Sequence, residues 1–471
     1  MATAADATAH PSPRAPRARR AVALATAAAL AAGSLPAPAR AQGVPTIRDA
    51  EAEQLLRDYM RPLLRAAGLA QQNIQVVIVN DPSFNAFVVD ARRIFVNAGA
   101  LMESRTPNEI IGVLAHETGH IAGGHLSRLR EQLANAQTQS ILALLLGVGA
   151  MVAASRSSGS SGNAGAAILA PQESIRRSLL AYQRNQEEQA DAAGVKFLNA
   201  TGQSAKGMYE TFKRLSDQML FQSRFANPYL QSHPMPADRV ATLERMGRNT
   251  AAWEKKDSAE LQLRHDLMRA KLHGFLDRGG TVARRYPLSD QSLPARYARA
   301  IATYRHSDLR AAVVQIDALI QAQPGNPYFQ ELKGQALLEG GQPAAAIAPL
   351  RRAVQLAPEP ALIQILLGQA LVATNDPRSA DEAIGLLNRA LTKEPTASSA
   401  YAQLAMAYGR KGDIAHADLA AAQAAFTRGD FMTARQLAAR AKTRLKVGTP
   451  AWVRADDIAT VRIPSGQQRP N

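Results

Sequence analysis

The pattern of apolar and polar positions divides this chain of 471 residues into two regions. Residues 49–67 place apolar side chains at helical spacing, and a second apolar helix is predicted to begin after Thr106. Between them, residues 74–79, 87–89 and 94–96 are short β-rich runs separated by turn residues. The first region is therefore predicted to pack a small β-sheet against helices.

Beyond residue 300 the pattern repeats at a spacing of 34 residues, and further copies follow, the next with three extra residues around Pro377. The matching residues are Ala312 and Ala346, Leu319 and Ala353, and Pro324 and Pro358. A period of 34 with small residues where helices cross is typical of tetratricopeptide repeats, in which each helix pair buries its apolar face against the next. Residues 291–445 are therefore predicted to form a curved helical array with a concave groove. A simple alanine-rich helical bundle is the alternative.

Residues 1–41 have the features of a signal peptide. Four arginines precede an alanine-rich apolar run at residues 21–33, and the Ala-Arg-Ala at residues 39–41 matches a cleavage signature. A mitochondrial presequence, which is also rich in arginine and poor in acidic residues, is the alternative. The cleavage signature favours export.

An uncharged segment, residues 141–154, lies in the first region. Its fourteen residues are fewer than the about 20 that a membrane-spanning helix needs. Serine- and glycine-rich residues follow, and then a second apolar patch. We interpret residues 139–171 as a mobile apolar lid or hairpin beside the active cleft, able to dip into a membrane surface. A buried helix followed by a loop is the alternative.

Two further segments complete the predicted organisation. Residues 251–290 are predicted to be a charged helical connector between a catalytic domain at residues 42–250 and the repeats. Residues 446–471 are assigned to a C-terminal tail. The predicted fold class is mostly α: an α+β domain with a small β-sheet, followed by an all-α solenoid.

Composition limits the chemistry and the partners. The chain has no cysteine, so it has neither disulfides nor a lipidated cysteine anchor. The formal net charge is +16, and removing the five arginines and one aspartate of residues 1–41 leaves about +12. A basic surface suits anionic lipid headgroups or acidic protein faces. Nucleic acid is not a predicted partner, because lysines and arginines are spread along the helices and no binding motif is present.

The strongest chemical signal is the run His-Glu-Thr-Gly-His at residues 116–120. His116 and His120, four positions apart, lie on the same face of a helix, where they can bind one zinc ion, and Glu117 between them can activate water. Thr106, with proline next to it and glutamate three residues on, is a capping box upstream. The motif therefore lies well inside a helix and predicts a zinc peptidase.

A zinc ion needs a third protein ligand. Glu187 and Asp191, four residues apart, share a helix face, so one can bind zinc while the other accepts the free ring N–H of a ligand histidine. Glu187 is preferred, and Glu188 is the reserve choice. His125 is disfavoured because a continuing helix would turn it about 180° away from His116. It is predicted to be a structural or surface histidine.

A third element consists of His233, followed by Pro234 and then Arg239. A histidine and an arginine outside the metal ligands are the groups that stabilise the oxyanion of a hydrated peptide bond. Both are therefore candidates for contact with the transition state.

Taken together, these elements resemble peptidase family M48, which comprises zinc metallopeptidases of the gluzincin type with a glutamate as third ligand. The matching residues are His116, Glu117, His120, Glu187, Asp191, His233, Pro234 and Arg239, with Asn85, Ala86 and Phe87 upstream. The resemblance implies that His116, His120 and Glu187 bind one zinc ion per chain. It implies that Glu117 is the general base.

The same resemblance implies roles for the remaining residues. Asp191 would hold a ligand histidine by a hydrogen bond, and the run at residues 85–87 would lie on a strand beside the substrate cleft. His233 would be either a transition-state group or an extra ligand that closes the resting site. The alternatives for His233 remain open.

Within this family, the chain resembles periplasmic proteases that join the M48 domain to C-terminal tetratricopeptide repeats. The resemblance therefore implies a periplasmic zinc endopeptidase, peripheral at the outer membrane, that acts on misassembled outer-membrane β-barrel proteins. The repeat groove would dock on the outer-membrane assembly machinery. The alternatives are a repeat-based chaperone or scaffold with a latent or structural zinc site, and an integral-membrane M48 protease.

Overall fold

The computed structural model describes residues 45–132, 134, 164–221 and 228–462. The chain is mostly helical with one four-stranded sheet, which confirms the predicted fold class. The predicted signal peptide and residues 139–163 of the predicted lid lie outside the described residues, and residues 164–171 begin a long helix. Among the described residues, no helix has the combination of length and apolar character needed to cross a membrane.

The sheet and the helices around it lie in the N-terminal region. The strands are β1 (Thr46–Ile47), β2 (Gln75–Val79), β3 (Ala86–Asp90) and β4 (Arg93–Asn97). The helices are α1 (Ala50–Ala66), α2 (Ala98–Glu103), α3 (Pro107–Ala122), α4 (Ala164–Ala200), α5 (Lys206–Phe221), α6 (Pro228–Ser232) and α7 (Ala237–Arg248). The first predicted helix and the three predicted β-rich runs are confirmed, whereas β1 and α2 were not predicted.

The strand order is β1-β2-β4-β3, which places β3 at an edge. Strands β2 and β4 are parallel, with Val77 opposite Phe95, and β3 runs antiparallel to β4, with Ala86 opposite Val96. Apolar side chains of the sheet and of α1, α3 and α5 share one core. Since β3 also contacts α3, this edge of the sheet lies beside the predicted zinc helix.

Helix α3 begins as its capping box predicts. The Thr106 side chain accepts a hydrogen bond from the backbone N–H of Glu109, and Pro107 is the first helical residue. The helix packs against α4 and α5. At the contact with α4, a Cβ added to Gly119 would lie 2.7 Å from the carbonyl oxygen of Ala190, so the helices approach this closely only because position 119 is glycine. This contact brings the carboxylates of α4 close to the histidines of α3.

The rest of the described chain is helical. The helices are α8 (Ala259–Leu276), α9 (Gly279–Arg285), α10 (Leu293–His306), α11 (Leu309–Ala322), α12 (Pro327–Glu339), α13 (Pro343–Leu356), α14 (Ala361–Ala373), α15 (Ala380–Lys393), α16 (Ser398–Arg410), α17 (Ile414–Thr427), α18 (Phe431–Lys442) and α19 (Pro450–Thr460). From α10 onward each helix packs against the next in chain order. Gly334 lies where α12 crosses α13, because a Cβ there would overlap Leu350.

A buried ion cluster joins the N-terminal region to these helices. Lys271 of α8 is only 5% exposed, and its Nζ lies 2.7 Å from Asp49 Oδ2, 3.4 Å from Glu51 Oε2 and 3.6 Å from Glu331 Oε2. The hydroxyl of Tyr297 donates a hydrogen bond to Glu51 at 3.0 Å. Apolar residues of α8 contribute to the cores on both sides. Helix α8 is therefore packed between the two regions.

The segment assigned to a C-terminal tail contains helix α19. Thr449 caps this helix by accepting a hydrogen bond from the backbone N–H of Trp452, and Pro450 is its first residue. The helix packs against α17 and α18. The predicted tail from residue 446 is therefore wrong for residues 450–460, where the Thr-Pro pair at 449–450 starts a helix.

Candidate metal centre

Three elements bring four potential ligands together. Helix α3 carries His116 and His120, helix α4 carries Glu187, and His233 directly follows α6. Nε2 of His116 lies 3.0 Å from Nε2 of His120 and 3.3 Å from Nδ1 of His233. The carboxylate oxygens of Glu187 lie 3.4 Å from each of the α3 histidines and 3.0 Å from Nδ1 of His233. The four side chains therefore present their ligand atoms to one shared space.

The spacing of these atoms fits a tetrahedral zinc site. Bonds of about 2.0–2.1 Å to zinc place neighbouring ligand atoms about 3.3–3.4 Å apart in a tetrahedron. The measured separations of 3.0, 3.3 and 3.4 Å are close to this value. Imidazole nitrogen and carboxylate oxygen are donors that zinc accepts. The residues present therefore fit one zinc ion, with His233 at the fourth position.

The charge balance of the pocket also favours a divalent cation. Glu117, Glu187 and Asp191 are buried there together with one guanidinium, that of Arg239. With ionised carboxylates and neutral imidazoles, the pocket holds two more negative charges than positive ones. Burial alone would lower the pKa of His116, but Asp191 and Glu187 raise it to about 9. The field that stabilises a proton on His116 stabilises a metal cation for the same reason.

Asp191 orients the His116 ring from the side opposite its ligand atom, Nε2. Its Oδ1 lies 2.9 Å from Nδ1 of His116, so Nδ1–H can donate to it while Nε2 faces the metal position. Burial alone would raise the pKa of Asp191, but Arg239 lowers it.

Arg239 occupies a different position from the one predicted. The sequence predicts that it meets a substrate oxyanion. In the structure Nε and Nη2 donate to the two oxygens of Asp191 at 2.6 and 2.9 Å, and Nη1 lies 2.9 Å from Glu187 and donates to the carbonyl of Pro234 at 2.8 Å. Its donors are therefore directed at the two carboxylates that hold the metal site, and it compensates for their charge.

Glu117 lies at the edge of the ligand cluster. It is buried, and its Oε1 lies 3.6 Å from Nε2 of His233, with no hydrogen-bond partner in the described parts of the chain. Burial raises the pKa of Glu117, whereas the nearby His233 and His116 act in the opposite direction. A carboxylate in this setting can accept a proton from water and return it to a leaving group.

His233 is held by an aromatic side chain that the sequence analysis did not identify. Tyr229 of α6 stacks on its ring with 4.7 Å between centroids, and the backbone N–H of His233 donates to the carbonyl of Tyr229 at 2.7 Å. Phe212 of α5 packs edge-on against His116. The spacing of four residues between Tyr229 and His233 is the signal that could have revealed the stacking.

The predicted substrate-contacting run lies at the edge of the sheet. Ala86 and Phe87 begin strand β3, and the carbonyl of Asn85 accepts a hydrogen bond from the backbone N–H of Asn97 at 2.9 Å. Phe87 stacks on Phe95 of β4. Within the sheet, β3 pairs on one side with β4, so its other side can pair with an extended chain.

Comparison with known proteins assigns this site to a family. Residues 50–247 match the profile of peptidase family M48, and this match includes every residue of the metal centre. The chain carries an M48 peptidase domain. M48 peptidases are zinc-dependent, so the enzyme is a zinc metalloprotease.

Several relatives share more than the M48 domain. The chain is 26% identical to the beta-barrel assembly-enhancing protease of Yersinia pestis, in a match that covers 88% of this chain and 83% of that protein. It is 23% identical to the protein of the same name from Escherichia coli, with the same coverage. A shorter match to protease HtpX of Salmonella arizonae is 38% identical and covers 16% of this chain and 26% of that protein. The longer matches extend beyond the M48 domain.

The two other residues that the sequence offers as zinc ligands, Glu188 and His125, do not belong to the cluster of four potential ligands. Glu188 is exposed on α4. His125 is not a surface side chain, because α3 ends at Ala122 and the chain turns His125 inward until it is 3% exposed. Its ring lies next to His120, on the side away from the metal position.

Proposed function

We propose that this chain is an exported, periplasmic zinc endopeptidase that acts on misassembled outer-membrane β-barrel proteins. The convergence of His116, His120 and Glu187 beside the buried carboxylate of Glu117 carries the proposal. The two relatives named beta-barrel assembly-enhancing proteases, which match 88% of the chain, support the substrate class. The signal-like residues 1–41 support export.

The residues of the site have distinct roles in peptide hydrolysis. The chemistry that zinc supplies in such a site is a more acidic water and a polarised scissile carbonyl. Glu117 accepts a proton from the attacking water on its carboxylate and donates it to the leaving amine. Asp191 keeps the proton of His116 on Nδ1, and Arg239 offsets the charge of the buried carboxylates.

Substrate binding is assigned to strand β3. On the side away from β4, the strand and the residue before it, at Asn85, Ala86 and Phe87, can add an extended substrate chain to the sheet through backbone hydrogen bonds. Such pairing depends little on side chains, so it suits an enzyme whose substrates share a misassembled state rather than a sequence.

The position of His233 favours a second candidate. Its Nδ1 would take the fourth position around a bound zinc ion, which a catalytic site keeps for water, and a zinc site with four protein ligands is closed. We propose that this arrangement is a latent state and that His233 leaves it before cleavage. A site that stays closed would make the chain a repeat-based chaperone or scaffold.

Casein cleavage and zinc content, measured together on the chain without residues 1–41, test these proposals. Glu117→Gln should keep one zinc per chain and lose at least about 100-fold in cleavage rate, because the base is removed and the ligands remain. His120→Ala should lose zinc as well. A wild-type rate in Glu117→Gln would refute the assigned chemistry.

His233→Ala distinguishes the two candidates. Cleavage equal to or faster than that of the wild type supports a latent protease, whereas a large loss supports a transition-state role for His233. If wild type and His233→Ala both bind zinc and neither cleaves casein, the scaffold is the better description.

We further propose that the helical array docks on the outer-membrane assembly machinery. The period of 34 residues and the packing of successive helices from α10 onward support a tetratricopeptide solenoid with a concave groove. The apolar residues 139–171 are assigned to peripheral membrane contact. Release of the protein from membranes by carbonate is expected, and resistance would favour an integral-membrane protease.

A further inference from the structure

His125 is a buried side chain next to the metal centre for which the proposed chemistry gives no role. Its Nδ1 lies 3.0 Å from Nδ1 of His120, and the two rings meet at 84° with 5.0 Å between centroids. The other nitrogen of His120, Nε2, faces the ligand cluster. The contact with His125 therefore lies on the side of His120 that points away from the metal position.

The chain makes a sharp turn to place His125 there. Helix α3 ends at Ala122, and Gly124 adopts a left-handed conformation with φ +62°. A Cβ at position 123 would overlap the ring of His125, so this ring position requires Gly123. Two successive glycines thus fold the chain back onto the helix that carries the motif.

His125 is also tied to the second helix that carries a ligand. Its backbone carbonyl accepts a hydrogen bond from the side chain of Gln186 at 3.2 Å, and Gln186 precedes Glu187 on α4. His125 therefore contacts α3 through its ring and α4 through its carbonyl, and these two helices carry three of the four potential ligands. It is therefore placed to fix their relative position.

The chemistry of a ligand histidine defines what this contact does. A metal bound through Nε2 of His120 requires that nitrogen to be unprotonated, so the ring proton is on Nδ1. That N–H points at Nδ1 of His125, which acts as the acceptor and so carries its own proton on Nε2, a buried atom with no hydrogen-bond partner among the described residues. For His116, the equivalent acceptor is the carboxylate of Asp191.

We propose that His125 is a positioning residue, whose neutral ring accepts the Nδ1–H of His120 and so orients that ligand toward the metal. The inference rests on the metal-binding role proposed for His120. A neutral acceptor suits this place. A carboxylate here would add a further negative charge to a pocket in which negative charges already exceed positive ones.

Zinc affinity, measured by competition with a chelator, tests the inference. His125→Phe removes the acceptor but keeps an aromatic ring, and it should raise the zinc dissociation constant about 10- to 100-fold. His125→Asn keeps an acceptor two bonds from Cβ, in the place of Nδ1, and should bind zinc nearly as the wild type does. Gly123→Ala displaces the ring without removing it, so it should weaken zinc binding to an intermediate degree.

Two controls separate positioning from ligation and from general stability. When saturated with cobalt, the wild type and both His125 variants should share the visible spectrum of one ligand set, whereas His120→Ala should not. His273 is also buried and its Nδ1 lies 2.9 Å from Asp277, far along the chain from the motif. His273→Phe should leave zinc affinity unchanged.

The outcomes are distinct. Equal zinc affinity in His125→Phe and wild type, or equal weakness in His125→Phe and His125→Asn, overturns the positioning role alone. If His125→Phe does not fold, tighter binding by His125→Asn than by Gly123→Ala supports the role and the reverse order rejects it. Absence of zinc binding by the wild type overturns the proposed function and this inference together.

Discussion

Substitution of Gly119 by alanine should damage the metal centre through the backbone rather than through a ligand. The added Cβ would lie 2.7 Å from the carbonyl oxygen and 3.0 Å from the Cα of Ala190, whereas ordinary contact begins near 3.4 Å. Both atoms belong to the backbone of α4, so no side chain can rotate away. Helices α3 and α4 must therefore separate by about 0.7 Å, the difference between 2.7 and 3.4 Å, at a point adjacent to Asp191 and one turn from Glu187.

The energetic and catalytic costs follow from this displacement. Overpacking of a core costs about 1–3 kcal/mol, while replacing glycine by alanine inside a helix returns about 1 kcal/mol, so the unfolding free energy should fall by about 0–2 kcal/mol. Because Glu187 moves relative to the histidines of α3, zinc affinity and the kcat/KM for casein should each fall by about tenfold or more.

Chelator competition and casein cleavage, run on the same preparations, measure the two effects. Gly409→Ala is the matched control, since Gly409 is also helical but a Cβ there would meet nothing within 4 Å. The unfolding free energy of Gly409→Ala should be slightly higher than that of the wild type, and its zinc affinity should be unchanged. If Gly119→Ala binds zinc and cleaves casein as the wild type does, the contact between α3 and α4 does not set the ligand geometry.

Two further substitutions test buried charges. Burial raises the pKa of Glu331 from its ordinary value of 4.5 to about 7, so its contribution to stability declines as the pH rises from 4.5 to about 7. Relative to wild type, Glu331→Gln should gain about 2 kcal/mol of unfolding free energy between pH 5 and pH 8 in urea titrations, and the exposed Glu210→Gln should gain none. Arg239→Met should lower the unfolding free energy of the zinc-free chain by about 3 kcal/mol, and zinc should restore part of it. Calorimetry measures this change, with the surface variant Arg248→Met as control; an unchanged melting temperature for Arg239→Met would contradict its charge-compensating role.

The parts of the site that depend on local geometry were predictable from the sequence. Helical spacing places His116 beside His120 and Glu187 beside Asp191, and the capping box at Thr106 correctly places the start of α3. Local patterns cannot say which two helices face each other. That step came from the resemblance to M48 peptidases, and the structure brings the same residues together.

Other parts of the site depend on where the chain turns and what it meets there. The prediction for His125 rests on a continuing α3, but the glycine pair after Ala122 ends the helix and reverses the direction of the side chain. The partners of Arg239 lie 48 and 52 positions away in the sequence, on α4, so no local pattern indicates that its guanidinium is already occupied. The glycine pair was a usable signal for His125, whereas Arg239 offered none.

Helix α8 lies at the junction between the N-terminal region and the helical array. Buried charges at this junction can matter more for how the two regions are oriented than for the stability of the fold. The buried apolar contact there between α1 and the helical array consists of Ala50, Ala353 and Ile363, and polar contact comes from the ion cluster around Lys271 and from the ion pair of Arg48 with Glu394. The cost of removing ions from water offsets much of their mutual attraction, so a correct junction gains little net free energy from them. An incorrect junction would leave a carboxylate or the ammonium buried without a partner, at a cost of several kcal/mol. We therefore expect the cluster to select one orientation of the helical array relative to the metal centre, since any other orientation separates charges that only this one pairs.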